Sequence, residues 1–188
     1  NASADPFQGT WTDKGELALP DDRWAIDGTV FQHEGQLYFL WSGWEGTDNV
    51  NQKIYIVKMT NPWTAEGDRM MLSQPELSWE LNGAPPAINE APQFLKHGDK
   101  VFIIYSASGC WTDEYSLGLL SASASADLLN PASWTKSPQP VFVKNPTALA
   151  FGTGHNSFFK SADGTEDWIM YHANASSGQG CDDERSAR

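Results

Sequence analysis

Three stretches of the chain share one pattern of polar and apolar positions. A single polar side chain opens an apolar strand, a turn carrying glycine follows, and a second apolar strand returns. The stretches are WAIDGTVFQHEGQLYFLWSG with Asp27, INEAPQFLKHGDKVFIIYSASG with Glu90, and GTGHNSFFKSADGTEDWIMYHA with His155. Glu90 lies 63 residues after Asp27, and His155 lies 65 after Glu90. A unit of nearly constant length therefore brings a different reactive group to the same point each time, which is how a repeat fold builds a site on its axis. Glu34-Gly35, Gly98-Asp99 and Asp163-Gly164 sit where each hairpin needs positive backbone φ.

The far end of each unit repeats as well. SADPFQGTWTDKG, MTNPWTAEGDRMMLSQP and SADLLNPASWTKSPQPVF place Pro6, Pro62 and Pro131 at corresponding turns. KIYIVKMT and YSLGLLSASA supply a further short strand in the second and third units, so each complete unit reads as a four-stranded meander. That unit fits an all-β fold of the β-propeller type better than leucine-rich, ankyrin or helical repeats, which are shorter or carry helical periodicity. No long amphipathic helix is predicted. SADLLNPASW has room for one helical turn, which Pro131 would stop.

The expected organisation is a single propeller domain with 21–83 and 84–148 as blades. Residues 149–188 form the first half of another blade, and 1–20 form the outer strand of a preceding one. Because a propeller closes with at least about four blades, about three blades imply a portion of a longer ring. Alone, its terminal strands would leave open edges.

Composition changes this picture little. Nine Trp, nine Phe and five Tyr provide material for a core. Twelve Lys plus Arg against 24 Asp plus Glu give a net charge of −12, which disfavours nucleic acid and anionic membranes and leaves neutral ligands as the easiest fit. No apolar run is long enough to span a bilayer, and no charged and apolar leader opens the sequence.

WAIDGTVF, INEAPQF and GTGHNSFF, in that order and at those separations, resemble the inner-strand motifs of glycoside hydrolase family 43. DDRWAIDGTVF, YFLWSGWEG, MTNPWT and GCDDERSAR are most similar to its α-L-arabinofuranosidase members. The resemblance covers essentially the whole chain. It implies a five-bladed propeller with an inverting glycosidase site at the centre of one face, secretion, and an arabinose-containing plant polysaccharide as substrate. The sequons Asn1-Ala2-Ser3 and Asn174-Ala175-Ser176 point the same way on secretion. β-Xylosidase and endo-arabinanase activities occur in the same family, and a sugar-binding propeller or inactive fragment is the alternative of another class.

Inversion needs one protonated carboxyl to release the leaving oxygen and one carboxylate to activate water, about 6.5–9.5 Å apart. By the resemblance, Glu90 is the general acid and Asp27 the carboxylate that orients it and raises its pKa, as an ionised neighbour does. The family's base is an aspartate near the start of the first blade. Asp5-Pro6 is not that residue, because its surroundings align with the outer turns NPWTAEG and LLNPASW. The base is therefore expected outside this sequence, on the missing blades or on a companion chain that carries them.

His155 matches a histidine that faces the family's axial channel and helps hold a calcium or other ion. Its alternative is a hydrogen bond within the channel, with Asn156 beside it. His33 and His97 fall at hairpin turns and are expected to be exposed, while His172 ends a strand near the site face without an identifiable partner. Trp44, Trp24 and Trp111 are candidates for sugar-stacking walls or for inter-blade packing. Arg185 and Arg188 lie in a segment resembling the family's arginine-bearing loop, where a guanidinium can pair with a carboxylate or a sugar hydroxyl. Asp182, Asp183 and Glu184 read as a solvated acidic run. Cys110 and Cys181 follow second strands in neighbouring units, so a disulfide between them is left open.

Overall fold

The computed structural model describes residues 1, 3–21, 23–181 and 185–188. Asp182, Asp183 and Glu184, and the middle residue of the first sequon, lie outside the described residues. The described chain is all-β. Strands β1 (Ala25–His33), β2 (Gln36–Gly43), β3 (Asn51–Asn61) and β4 (Thr64–Ser73) form one antiparallel meander. β5 (Ala87–His97), β6 (Lys100–Ala107), β7 (Ser116–Ser123) and the short β8 (Thr135–Lys136) form a second. A short parallel contact, Asn51 with Ala87 and Gln52 with Ile88, joins them. β9 (Phe151–Lys160), β10 (Asp167–Asn174) and β11 (Ser186–Ala187) make a separate antiparallel sheet.

The turns close as their chemistry demands. Glu34 at φ +48° and Gly35 at φ +84° are both left-handed, the form a two-residue hairpin loop needs to match strand twist. The core forms where the meanders face one another. Leu40, Ile54 and Ile56 pack with Val101, Ile103, Tyr105 and Leu120, and Phe31 stacks on Phe94 at 3.9 Å between centroids. Each of these aliphatic side chains is withdrawn from water and contributes about 1.5–3 kcal/mol. A smaller cluster of Trp41, Tyr55 and Val57 packs with Phe39 and Leu19 on the other side of the first meander.

Three expectations need correction. Residues 1–20 hold no strand among those described, because side chains take the backbone donors and curl the chain. Asn1 accepts from Ser3 N–H, Asp5 from Phe7 N–H and Asp13 from Gly15 N–H, leaving no ladder. The helical turn in SADLLNPASW is a 3₁₀ turn that Pro131 begins rather than stops. Asn130 caps it by accepting from Ala132 N–H, and proline lacks only a donor that a first position would leave unpaired. His33 is buried at 6% exposure although it adjoins a turn. Its Nε2 lies 2.7 Å from the Ala124 carbonyl of the second meander, a partner distant in sequence. His97 is exposed.

A 3₁₀ turn at Ser78–Leu81 carries Glu80 into the interior at 0% exposure. Glu80 Oε1 accepts from Asn89 Nδ2 and Tyr105 OH, each at 3.0 Å. Its Oε2 accepts from Glu76 N–H, Leu77 N–H and Lys136 Nζ at 3.0, 2.9 and 2.8 Å. Asn89 also accepts from Ser73 Oγ and, through its carbonyl, from Ser42 Oγ. The start of β5 is thereby fixed from several sides.

Candidate active site

Asp27, Glu90 and His155 stand at breaks in the ladders of β1, β5 and β9. Pairing shifts between Ile26 and Thr29 and between Glu90 and Gln93, and it shifts again opposite His155, between Met170 and His172. Asp27, Ala91 and His155 adopt φ of +57°, +50° and +51°, a left-handed backbone that costs an ordinary residue of order 1–3 kcal/mol. Each bulge re-aims a side chain and frees a backbone donor. Ala91 N–H donates to Asp27 Oδ2 at 3.0 Å, and His155 N–H to Ser106 Oγ at 2.8 Å. His155 Nε2 lies 3.8 Å from Asp27 Oδ1. The three residues are thus tied to one another or to a neighbouring sheet.

Glu90 has a defined partner. Tyr115 OH donates to its Oε1 at 2.6 Å, and the tyrosine is 0% exposed. The Tyr115 ring lies against Gly154, where an added Cβ would fall 2.3 Å from Cε1, so this position has no room for a side chain. On another side it stacks on His172, centroids 5.6 Å apart and planes 4° from parallel. Burial raises the Glu90 pKa, and the Asp27 charge adds to the rise. The Tyr115 hydrogen bond, His155 and Arg185 pull the other way without overcoming it. A carboxyl held protonated in this way can give up a proton near neutral pH.

His172 is held neutral. Burial, then the Arg185 and His155 charges, lower its pKa to about 4. Arg185 Nη1 lies 3.1 Å from His172 Nε2; a guanidinium only donates, so Nε2 accepts and the ring proton sits on Nδ1. Arg185 therefore reaches the site through His172. Arg188 instead donates to the Ala148 carbonyl at 3.1 Å and pairs its backbone with Tyr171.

Trp24 and Trp44 stack at 4.8 Å, forming one aromatic wall. Arg69 braces it by donating to the Trp44 and Glu45 carbonyls at 2.9 Å each. The same guanidinium contacts Asp21 Oδ2 at 2.9 Å and lies over the Tyr55 ring. Trp111 lies partly exposed on a bed of Gly83 and Gly109, whose added Cβ atoms would fall 2.6 and 2.3 Å from its ring. Cys110 and Cys181 are free thiols near each other. Burial and that neighbour push the Cys110 thiol up to about 12. Tyr115, Ser106, Arg69 and Glu80 went unmarked in the sequence, since each acts through a partner remote along the chain.

Among the described residues no group of three or more His, Cys, Asp or Glu could hold a metal ion. Among those residues His155 has Asp27 beside it and no third ligand of that kind. Asp5 spends its carboxylate on Phe7 N–H at 2.9 Å.

An acid raised by burial, with a second carboxylate beside it on a broken strand, is an arrangement for protonating a leaving group. The family of Glycosyl hydrolases family 43 matches residues 1–188, and the chain belongs to it. It is 47% identical over 173 residues to an extracellular exo-α-(1→5)-L-arabinofuranosidase of Streptomyces avermitilis, covering 92% of this chain and 35% of that protein. It is 41% identical to the enzyme of the same description from Streptomyces chartreusis, covering 92% of this chain and 52% of that protein. A crystal structure of α-L-arabinofuranosidase from Lactobacillus brevis superposes with a TM-score of 0.85 at 37% identity. That match covers 94% of this chain and 54% of the other. The chain thus spans about a third to a half of the length of these relatives.

Proposed function

We propose that this chain carries the acid half of an inverting, exo-acting α-L-arabinofuranosidase that removes terminal arabinofuranose from arabinan or arabinoxylan. The single observation that carries the reading is the Glu90 carboxyl, half-buried, hydrogen-bonded to Tyr115 and raised in pKa, with Asp27 beside it. Glu90 gives its proton to the glycosidic oxygen as the bond to the anomeric carbon breaks. A base then takes a proton from the water that attacks the opposite face. That base belongs to the part of the relatives' length that this chain does not span, whether in the same polypeptide or in a companion one. Asp27, fixed by Ala91 N–H, keeps its charge near the acid and orients it. The Trp24–Trp44 wall and Trp111 present aromatic faces suited to sugar rings.

In this reading the two meanders and the third sheet are consecutive parts of a five-bladed propeller, with blades at 21–83 and 84–148 and a half blade at 149–188. The overlap with just over half of the Lactobacillus brevis enzyme supports it. The word extracellular in the names of the two Streptomyces relatives supports a place outside the cell. Among the described residues no helix is long and apolar enough to cross a membrane.

The test compares Glu90→Gln with the unchanged enzyme on an aryl arabinofuranoside, whose leaving group needs little protonation, and on an arabino-oligosaccharide, whose leaving group needs it fully. Loss of general acid catalysis costs roughly 10²–10⁴-fold. That loss is expected on the oligosaccharide, with the aryl glycoside largely spared. Equal activity of both proteins on the oligosaccharide would remove Glu90 from the acid's role. Release of internal oligomers from linear arabinan would point to endo action, and release of xylose to a xylosidase.

A further inference from the structure

The Tyr115 hydroxyl has a defined direction: it donates to Glu90 Oε1 at 2.6 Å. Ser106 Oγ, which accepts from His155 N–H at 2.8 Å, lies with the Tyr115 ring against Gly154. The ring cannot swing away, with His172 parallel on one side and Gly154 in contact on another.

A carboxylic acid carries its proton on one oxygen at a time. An oxygen that accepts a short hydrogen bond from a buried hydroxyl is the poorer place for it, since the two protons would collide. We propose that Tyr115 is a positioning residue for the acid: by donating to Glu90 Oε1 it confines the transferable proton to Oε2. The proposal rests on the reading of Glu90 as general acid. When Oε2 gives its proton to the glycosidic oxygen, that oxygen takes the bonding electron pair from the anomeric carbon. The new carboxylate on Glu90 keeps the Tyr115 hydrogen bond, which strengthens as charge develops on it. Tyr115 therefore acts twice, by holding the proton on the side that reacts and by stabilising the anion left behind.

Tyr115→Phe removes one oxygen and keeps the ring. The titratable and charged groups around Glu90 are Asp27 from β1, His155 from β9, Arg185, and Cys110 from the loop after β6, with His172 behind the tyrosine. None of them is altered. Losing a donor to the carboxylate makes the acid weaker, so the basic limb of the kcat/KM profile on arabino-oligosaccharide should move up by about one pH unit. The kcat on that substrate should fall about 10-fold, which is one step of 1.36 kcal/mol in barrier, while the aryl glycoside is hydrolysed almost as before. Gly154→Ala, whose Cβ would press on the Tyr115 ring while leaving the hydroxyl in the sequence, should move the limb the same way, and it decides the matter if the phenylalanine variant does not fold.

A basic limb that stays in place, with both substrates slowed equally, would overturn the role of Tyr115 while leaving Glu90 as the acid. Failure of the underlying reading looks different, because Glu90→Gln would then hydrolyse the oligosaccharide at an undiminished rate.

Discussion

Replacing Glu80 by glutamine changes one charge and almost no volume at the most densely bonded side chain of the core. The carboxylate has five donors aimed at its two oxygens, one of them the Lys136 ammonium at 2.8 Å, and no exposure to water. Glutamine offers one oxygen and one NH₂. If the oxygen faces Glu76 N–H, Leu77 N–H and Lys136, the NH₂ confronts the Asn89 amide and the Tyr105 hydroxyl, and the opposite orientation turns the NH₂ toward the Lys136 ammonium; in both, the half-buried lysine loses its nearer carboxylate. Removing one partner of a buried pair costs about 3–5 kcal/mol, because the other charge stays desolvated. At roughly 2–4 °C per kcal/mol for a chain of this size, the melting temperature should drop by about 10 °C. Urea unfolding at pH 7 measures it directly.

The pH dependence supplies the control for that experiment. Burial alone would raise the Glu80 pKa, but the Glu76 and Leu77 N–H groups and Lys136 outweigh it and hold the value below the ordinary one. A depressed folded pKa means stability that is present above the unfolded value of about 4.3 and is lost as pH falls through the folded value. The gap between the two proteins should therefore be full at neutral pH and shrink in acid. A loss below about 1 kcal/mol, typical of an exposed pair, or a gap that does not change with pH, would refute the argument that Glu80 is the anchor of this network.

Gly154→Ala places a Cβ 2.3 Å from Tyr115 Cε1. It should cost about 1–3 kcal/mol through overpacking and reproduce the Tyr115→Phe shift of the basic limb, read from melting curves and pH–rate profiles on one preparation. His172, lowered to about 4 by burial, Arg185 and His155, should show no imidazole titration by NMR between pH 8 and 5. Because the unfolded histidine takes its proton near 6.5, this residue stabilises the fold fully above that pH and progressively less as pH falls toward 4. Arg185→Met should raise its midpoint, and an unmoved midpoint would remove Arg185 from the causes, leaving burial and His155.

Much of the strand order and the meeting of Asp27, Glu90 and His155 was legible because both are written locally. An apolar strand broken by one polar residue, and a turn with glycine at the right place, show within about twenty residues. What stayed hidden depends on partners that no local pattern announces. Glu80 reads as a turn acid until Tyr105 and Lys136 are seen around it, and His33 reads as a turn residue until Ala124 closes over it from 91 positions away. Tyr115 stands in the run TDEY ahead of a strand, where nothing periodic marks it. The first twenty residues misled for the opposite reason, since a turn motif shared with later units suggested a strand that has no neighbour to pair with among the described residues.

The same contrast explains why Asp27 and Ser106 brace the strands beside them. A bulge that re-aims a side chain also releases a backbone N–H from its ladder, and a buried donor left unpaired costs about 1–3 kcal/mol. Here the donor released beside Glu90 is taken by Asp27, and the one released at His155 is taken by Ser106, which belongs to the preceding sheet. The breaks in β5 and β9 are therefore each repaired by a side chain from another unit. Asp27→Ala would lose the carboxylate and also orphan the Ala91 N–H next to the acid, whereas Asp27→Asn keeps an acceptor for that donor and removes only the charge. The difference between those two substitutions separates Asp27 as a strut for β5 from Asp27 as the charge that helps keep Glu90 protonated.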